Sequence, residues 1–300
     1  MSRIKSAFIS RWGSEGVLCQ ADFSQLEVVG AAFLSGDPKM REDILAGVDS
    51  HSQSASWMYP HSYEEVREGY LAGDKHYTDI RKKSKAPRFQ LQYGARAKGI
   101  AEKCGISLAQ AKAFLEAYYG RYKVLAEWQD ENFDEARKNR EIRHKTIPDP
   151  EPGQYSVVSW FVCKLPSLTG RVYTFREYDT PDFIKERDGI HLQIKDTQVK
   201  NYPSQGFATG DVVPMMLGKT YKRLKTGPMA QRALMIGTVH DSILFDVHQT
   251  AIDQGFCEGV KKFLEKTPEF IEETWGFTFD LPLFCDVEMG PNWDSMRRVA

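Results

Sequence analysis

The 300-residue sequence has no long apolar run. The longest, Val28 to Leu34, is seven residues and contains Gly30. A membrane span needs about twenty apolar residues, so none is expected. Cysteine is scarce: Cys19, Cys104, Cys163, Cys257 and Cys285 are odd in number, widely spaced and never in a C-x-x-C pair. That pattern predicts reduced thiols in a cytoplasmic compartment rather than a disulfide framework. The opening Met1-Ser2-Arg3-Ile4-Lys5 lacks the apolar stretch and small-residue cleavage site of a secretory signal. An excess of one charge is also missing. A formal net charge of −1 and a pI near 6.7 exclude a protein that coats nucleic acid by bulk positive charge. There is no internal repeat and no low-complexity tract. What is present, 41% hydrophobic and 27% charged residues, is the composition of a globular protein of one large or two ordinary domains.

The near-zero charge conceals a segregation. Arg81 to Lys98 holds seven basic residues and no acidic one, whereas Glu258 to Glu288 holds eight acids against three lysines. This suggests a local polyanion site within a neutral protein. Along the chain, Gly16 to Ala21 is β-prone and ends at Asp22. Helical periodicity follows at once in Leu26, Val29, Gly30 and Phe33 up to Gly36-Asp37-Pro38, so Asp22 falls between a strand and a helix. Residues 49 to 145 read as mostly helical, with Ser107 a cap. Ile147 to Gly153, with three prolines and a glycine, reads as the clearest loop. Strands are expected over Tyr155 to Lys164 and Arg171 to Phe175, and a helix over Gly206 to Tyr221. Leu234 to Val239 and Ile243 to Val247 form a hairpin whose turn carries His240-Asp241-Ser242.

Two constellations carry chemistry. Arg81, Lys85, Phe89 and Tyr93, followed by Gly94, recur every four residues. On a helix each step advances about 40° and about 6 Å, giving one slowly turning stripe. Two cations precede two aromatics, the order of parts in a nucleoside triphosphate, although Pro87 removes a hydrogen bond in mid-segment and is expected to bend the stripe. The second constellation is a pair of strand-end aspartates, Asp22 and Asp241. Such carboxylates are ordinarily turn formers or helix caps. Brought within about 4 Å they would repel by about 4 kcal/mol at an effective dielectric near 20, and would need a divalent cation between them.

Together these segments resemble the family-A DNA polymerases, the bacterial polymerase-I type and its phage relatives. Ala21-Asp22-Phe23-Ser24-Gln25-Leu26-Glu27 looks like the first palm motif, and the ladder from Arg81 to Gly94 like the nucleotide-binding helix of the fingers. Asn201-Tyr202-Pro203-Ser204-Gln205-Gly206 is similar to the segment that touches primer and template, and Val239-His240-Asp241 to the second metal-binding motif. The resemblance implies that Asp22 and Asp241, with the backbone carbonyl of Phe23, hold two Mg²⁺ ions. It implies that Arg81 and Lys85 grip the triphosphate, Lys85 also donating a proton to pyrophosphate, and that His51 contacts the β-phosphate. Phe89 would pack on the incoming sugar and base, Tyr93 would close the site, and Gln25 joins the substrate-binding set. Glu27 with Tyr93 would block a ribose 2′-hydroxyl. Asn201, Gln205 and His240 would donate to minor-groove acceptors regardless of sequence, and Arg171 would lie near the template strand.

The chain departs from the family pattern at Ser242, where a glutamate usually follows the catalytic aspartate. Weaker metal binding is expected, with the serine holding a metal-bound water. The first motif also begins only about twenty residues into the chain, ahead of which the family carries a thumb and the opening of the palm. The expected architecture is therefore an α+β right-hand core with an antiparallel palm sheet and mainly helical fingers, the thumb absent. Residues 1–45 and 195–300 would form the palm and 46–194 the fingers. The expected function is template-directed addition of deoxynucleotides to a primer 3′ end, as the catalytic part of a split, phage-encoded polymerase in the bacterial host cytoplasm. Its partners would be primer-template DNA, dNTPs and a second polypeptide supplying the thumb, with no membrane. A fragment or mis-started gene is the competing explanation of the early motif. The alternative functions are a non-catalytic primer-template-binding subunit and a single-subunit RNA polymerase.

Overall fold

The structure, a computed structural model, describes residues 4–92, 94–149 and 153–300, Gln92 by its backbone alone. The chain forms β1 (Gly16–Phe23), α1 (Leu26–Ser35) and α2 (Pro38–Leu45), the last started by Asp37, whose carboxylate accepts the Lys39 and Met40 N–H groups. α3 (Ser50–Met58) is capped by Asp49, and α4 (Tyr63–Leu71) by a reciprocal Ser62–Glu65 box. α5 (Lys75–Gln92) runs continuously through Pro87. α6 (Ala97–Cys104) stops at left-handed Gly105, and α7 (Leu108–Arg121) starts at the expected Ser107 cap. After α8 (Lys123–Lys138) come β2 (Arg140–Pro148), β3 (Tyr155–Pro166), β4 (Val172–Arg176), β5 (Tyr178–Asp179), α9 (Asp182–Asp188), β6 (Leu192–Gln193) and α10 (Asp196–Gln205). A π-helical segment, Gly206–Val212, leads into α11 (Val213–Thr226), where the sequence predicts one plain helix. The chain ends with β7 (Ala233–Val239), β8 (Ser242–His248), α12 (Gln249–Asp253), α13 (Phe256–Leu264), α14 (Thr267–Trp275), β9 (Cys285–Gly290) and β10 (Arg297–Arg298). Among the described residues no helix is long and apolar enough to cross a membrane. The class is the expected α+β.

The chain divides into two compact units, residues 1–33 with 205–300, and residues 34–204. The first is built on a five-stranded antiparallel sheet in the order β10-β9-β1-β8-β7. Strand period 2 sorts its side chains. Cys19, Ala21, Phe23, Ile243, Phe245, Val247, Cys285 and Val287 are buried, and Phe245 meets Phe256 of α13 edge-on at 5.4 Å. Gln20, Asp22, Asp286 and Glu288 occupy the opposite face, because Asp22 pairs in register with Asp286, and Gln20 with Glu288.

The second unit is mainly helical, with a three-stranded sheet β2-β3-β4 and the two-stranded β5-β6. Ala55, Val66 and Ile80 form one of its cores; Cys163, Leu165, Tyr173, Phe175, Ile194 and Val199 belong to another. Its boundaries fall about ten residues from 45 and 194 because α2 and α10 are tied into it. Asp43 of α2 accepts from the Tyr122 hydroxyl at 2.7 Å and pairs with Arg121, while Val199 of α10 is buried in the second core. Two expectations fail locally. Residues 140–145 are strand rather than helix, and Ile147 and Pro148, read as loop, pair with Ser156 and Tyr155. β2 shows almost no alternation of burial, so its strand identity comes from backbone pairing to β3.

Candidate functional site

In the sheet unit the two aspartates meet at one end of β1 and β8. The Phe23 N–H donates to the Asp241 carbonyl oxygen at 3.3 Å, which fixes the β7–β8 turn against the end of β1. The carboxyls of Asp22 and Asp241 lie close enough that each perturbs the titration of the other. Asp22 is exposed, yet partial desolvation, then the Asp241 charge, then Glu288 and Asp286 on the same sheet face push its pKa up to about 7. Desolvation also raises Asp241, opposed by hydrogen bonds and by His240. Glu27, in the first turn of α1, is raised by burial and by Asp241. Two non-glycine residues beside the aspartates, Gln25 (φ 57°) and His240 (φ 54°), are held in left-handed backbone, a conformation that L side chains disfavour.

Ser242 is 5% exposed and its hydroxyl donates to the Val239 carbonyl oxygen at 2.9 Å, so it closes the turn from within instead of presenting a proton to solvent. Among the described residues no group of three or more His, Cys, Asp or Glu side chains is arranged around a metal position. Two neighbouring carboxylates, with Glu288 on the same sheet face, nonetheless fit an oxygen-seeking divalent ion, whereas Asp286 is already paired with Arg298 and accepts from the Ser24 hydroxyl. Mg²⁺ commonly takes one or two carboxylates and completes its shell with water and phosphate oxygens. The raised pKa of Asp22 has a consequence for stability. The fold favours the acid form of Asp22, so its contribution is full below the ordinary carboxylate range and is lost as pH rises through about 7. In chelator-treated protein, Asp22→Asn is expected to remove this loss and to melt above the wild type at pH 8 but not at pH 4. Parallel melting curves at the two pH values would show that Asp22 carries no such linkage.

In the helical unit α5 presents its cations toward α3. Arg81 grips Asp49 with two parallel hydrogen bonds, Nε to Oδ2 at 2.7 Å and Nη2 to Oδ1 at 3.0 Å, and its guanidinium lies 4.1 Å from the centre of the Tyr70 ring. Burial would raise Asp49, but hydrogen bonds from Arg81 and Ser52 hold it down at about 2. His51, the second residue of α3, is lowered to about 4 by burial and then by Lys85, Arg81 and Arg88. Its Nδ1 is buried without a hydrogen-bond partner, and its ring centre is 6.3 Å from that of Phe89, which is 44% exposed. Lys85 is lowered by burial and by the neighbouring Arg81 and Lys82, and makes no ion pair among the described residues. Such a crowd of cations around a neutral imidazole favours an arriving anion.

Asp22, Phe23, Gln25, Glu27, Gln205, His240 and Asp241 thus belong to the sheet unit, and His51, Arg81, Lys85, Phe89, Arg171 and Asn201 to the helical unit. Gln205 sits where α10 meets the π segment, Asn201 is 9% exposed on α10, and Arg171 follows left-handed Gly170 at the β3–β4 turn. Tyr93 lies outside the described residues. Sequence reasoning missed Asp49, Asp286 and Glu288. Asp49 carries a signal, a helix cap two residues before His51. Asp286 and Glu288 share a strand face by their spacing, but only the β1–β9 pairing puts them beside Asp22.

Residues 1–295 match the family described as DNA polymerase family A. Over 296 residues the chain is 25% identical to the thermostable DNA polymerase I of Thermus filiformis, covering 97% of this chain and 28% of that protein. Over 293 residues it is 23% identical to DNA polymerase I of Pseudomonas aeruginosa, covering 98% and 26%. The chain spans little more than a quarter of the length of these curated relatives. Among solved structures it resembles the POL domain of Pol1 from M. smegmatis in complex with DNA primer-template and dNTP. The TM-score is 0.66 at 25% identity, over 98% of this chain and 42% of that one.

Proposed function

The chain belongs to DNA polymerase family A, and from that premise we propose that it adds deoxynucleotides to a primer 3′ end under the direction of a template. The observation that carries the proposal is the meeting of Asp22 and Asp241 at the end of paired strands, where Asp22 pairs with Ser242, the Phe23 N–H donates to the Asp241 carbonyl oxygen and the two carboxyls perturb each other. In this reading the sheet unit is the palm and the helical unit the fingers, and Asp22, Asp241 and the Phe23 carbonyl hold two Mg²⁺ ions. Bound Mg²⁺ would lower the pKa of the primer hydroxyl and offset charge on the triphosphate. Lys85 and Arg81 draw in the triphosphate, Asp49 keeping the Arg81 fork in one orientation, and neutral His51 offers a ring nitrogen to a phosphate oxygen. Lys85, its pKa already lowered, is the proton donor to departing pyrophosphate. Phe89 and Tyr93 face the base and sugar, Gln25 completes the substrate set, and Asn201, Gln205, His240 and Arg171 contact primer and template.

The near-neutral charge supports a second polypeptide that adds grip on duplex phosphates. Primer extension by the full chain, alone and with a co-expressed neighbouring gene product, tests both statements. No extension in either case sinks the catalytic reading, whereas extension by the chain alone removes the need for the second polypeptide. Glu27 gives the reading its sugar preference. Glu27→Ala is expected to raise ribonucleotide incorporation relative to deoxynucleotide by at least about tenfold, since a steric block is removed without touching the metal-binding carboxylates. An unchanged ratio in competitive single-nucleotide insertion would take the gate away from Glu27.

A further inference from the structure

Strands β2 and β3 pair from Arg140↔Cys163 to Pro148↔Tyr155, a ribbon of nine register pairs about 30 Å long. Its distal half is exposed on both faces, with Tyr155 at 69% and Val157 at 65% on one, and Val158 at 38% on the other, the face that carries Trp160. Two-stranded ribbons are marginal by themselves, and exposed apolar and aromatic side chains of this kind mark a surface that meets something. Its chemistry says what. Over β2, β3 and β4 there are five cations, Arg140, Arg143, Lys145, Lys164 and Arg176, and one acid, Glu141. Register puts Arg143, Lys145, Lys164 and Arg176 on one face around Trp160, because Arg143 pairs with Trp160, Lys145 with Val158, and Arg176 with Val162. The Arg176 guanidinium lies 5.2 Å from the centre of the Trp160 ring. On that face Glu141 is flanked by Arg143 (2.9 Å) and Lys164 (2.6 Å), and Asp149 near the tip is held by the Ser156 hydroxyl (2.5 Å). Lys145 makes no ion pair among the described residues.

We propose that this face of the ribbon binds single-stranded nucleic acid, the cations taking phosphates and Trp160 a base. Cations spaced along a strand with an aromatic between them suit a flexible chain whose bases are unstacked, and a lone ring offers no hydrogen-bond code, so binding is sequence-tolerant. That the strand is the unpaired template ahead of the primer rests on the polymerase reading above. The binding itself does not need catalysis.

The test uses the full chain and a fluorescently labelled oligothymidylate, with a blunt duplex of equal length as comparison. Arg143→Gln/Lys145→Gln is expected to weaken single-strand binding about tenfold near 0.1 M salt. It should also flatten the slope of log affinity against log salt by about 1.4, two phosphate contacts at about 0.7 each, with a smaller effect on the duplex. Oligothymidylate should quench tryptophan emission in the wild type and less in Trp160→Phe, and an unchanged melting temperature shows that the variants are folded. Single-strand affinity and salt slope unchanged in the double variant would overturn the proposal. So would equal losses for single strand and duplex, or an exposed face consumed by self-association that the double variant abolishes. If the wild type extends no primer but binds oligothymidylate through these residues, the polymerase reading fails and the ribbon site stands.

Discussion

Asp241→Asn is expected to lower the rate of primer extension at least about 10³-fold, some 4 kcal/mol of transition-state stabilisation. The substitution is nearly isosteric and leaves the β7–β8 turn intact, since the contact that fixes it is made by the Asp241 backbone carbonyl with the Phe23 N–H. What it removes is one negative charge and one cation-binding oxygen pair beside Asp22. The fold is expected to be unharmed, because the amide can still hydrogen-bond to Asp22 and a like-charge contact is gone. Primer-template affinity should therefore stay within about threefold while turnover collapses, a split that marks loss of chemistry rather than of binding. Asp22→Asn should behave alike, and the double variant should be little worse than either, because two residues that act as one clamp are not additive. Extension by Asp241→Asn at more than a tenth of the wild-type rate would show that the pairing of Asp22 with Asp241 is structural and that the reacting site lies elsewhere.

Lys85→Ala is expected to cut kcat/KM by about 10²- to 10³-fold, with losses in both KM and kcat. The side chain projects from α5 without an ion-pair partner among the described residues, close enough to His51 to disfavour a charge on its imidazole, and its own charge is disfavoured by Arg81. Arg81, in contrast, is committed to Asp49 through two of its nitrogens, so Lys85 is the uncommitted cation of the ladder. Lys85→Arg separates its two roles. A guanidinium restores attraction for the triphosphate but gives up no proton near neutrality, so KM should return toward the wild-type value while kcat stays low. Recovery of both by arginine would reduce Lys85 to a charge. Pre-steady-state single-nucleotide insertion makes the measurement, since it separates nucleotide affinity from the chemical step.

Much of the site was legible because its motifs are local. The apolar alternation of β1 stops at a carboxylate, the α1 period starts four residues later, and the β7–β8 hairpin shows its turn by composition. The first three rungs of the four-residue ladder, Arg81, Lys85 and Phe89, needed only helix geometry, and α5 supplies it through Pro87, which occupies a buried position in an unbroken helix. Features set by distant pairing were hidden. β2 looks like the polar end of a helix until β3 pairs with it, and Asp286 is an ordinary acid in an acidic stretch until the register of β9 places it opposite Asp22. Asp49 was legible as a cap but not as the clamp of Arg81, because that contact crosses 32 positions. The unit boundaries depended on side-chain ties of α2 and α10 that no composition shift announces.

The left-handed turns at Gln25 and His240 bear on how this chain would answer selection for heat resistance. Glycine at either position would relieve roughly 1 kcal/mol of backbone strain. Both lie within three residues of a proposed metal-binding aspartate, and both replacements delete a polar side chain assigned to substrate or to the minor groove. A library screened only for melting temperature should enrich changes at these two codons, and the same clones should be the first to lose synthesis.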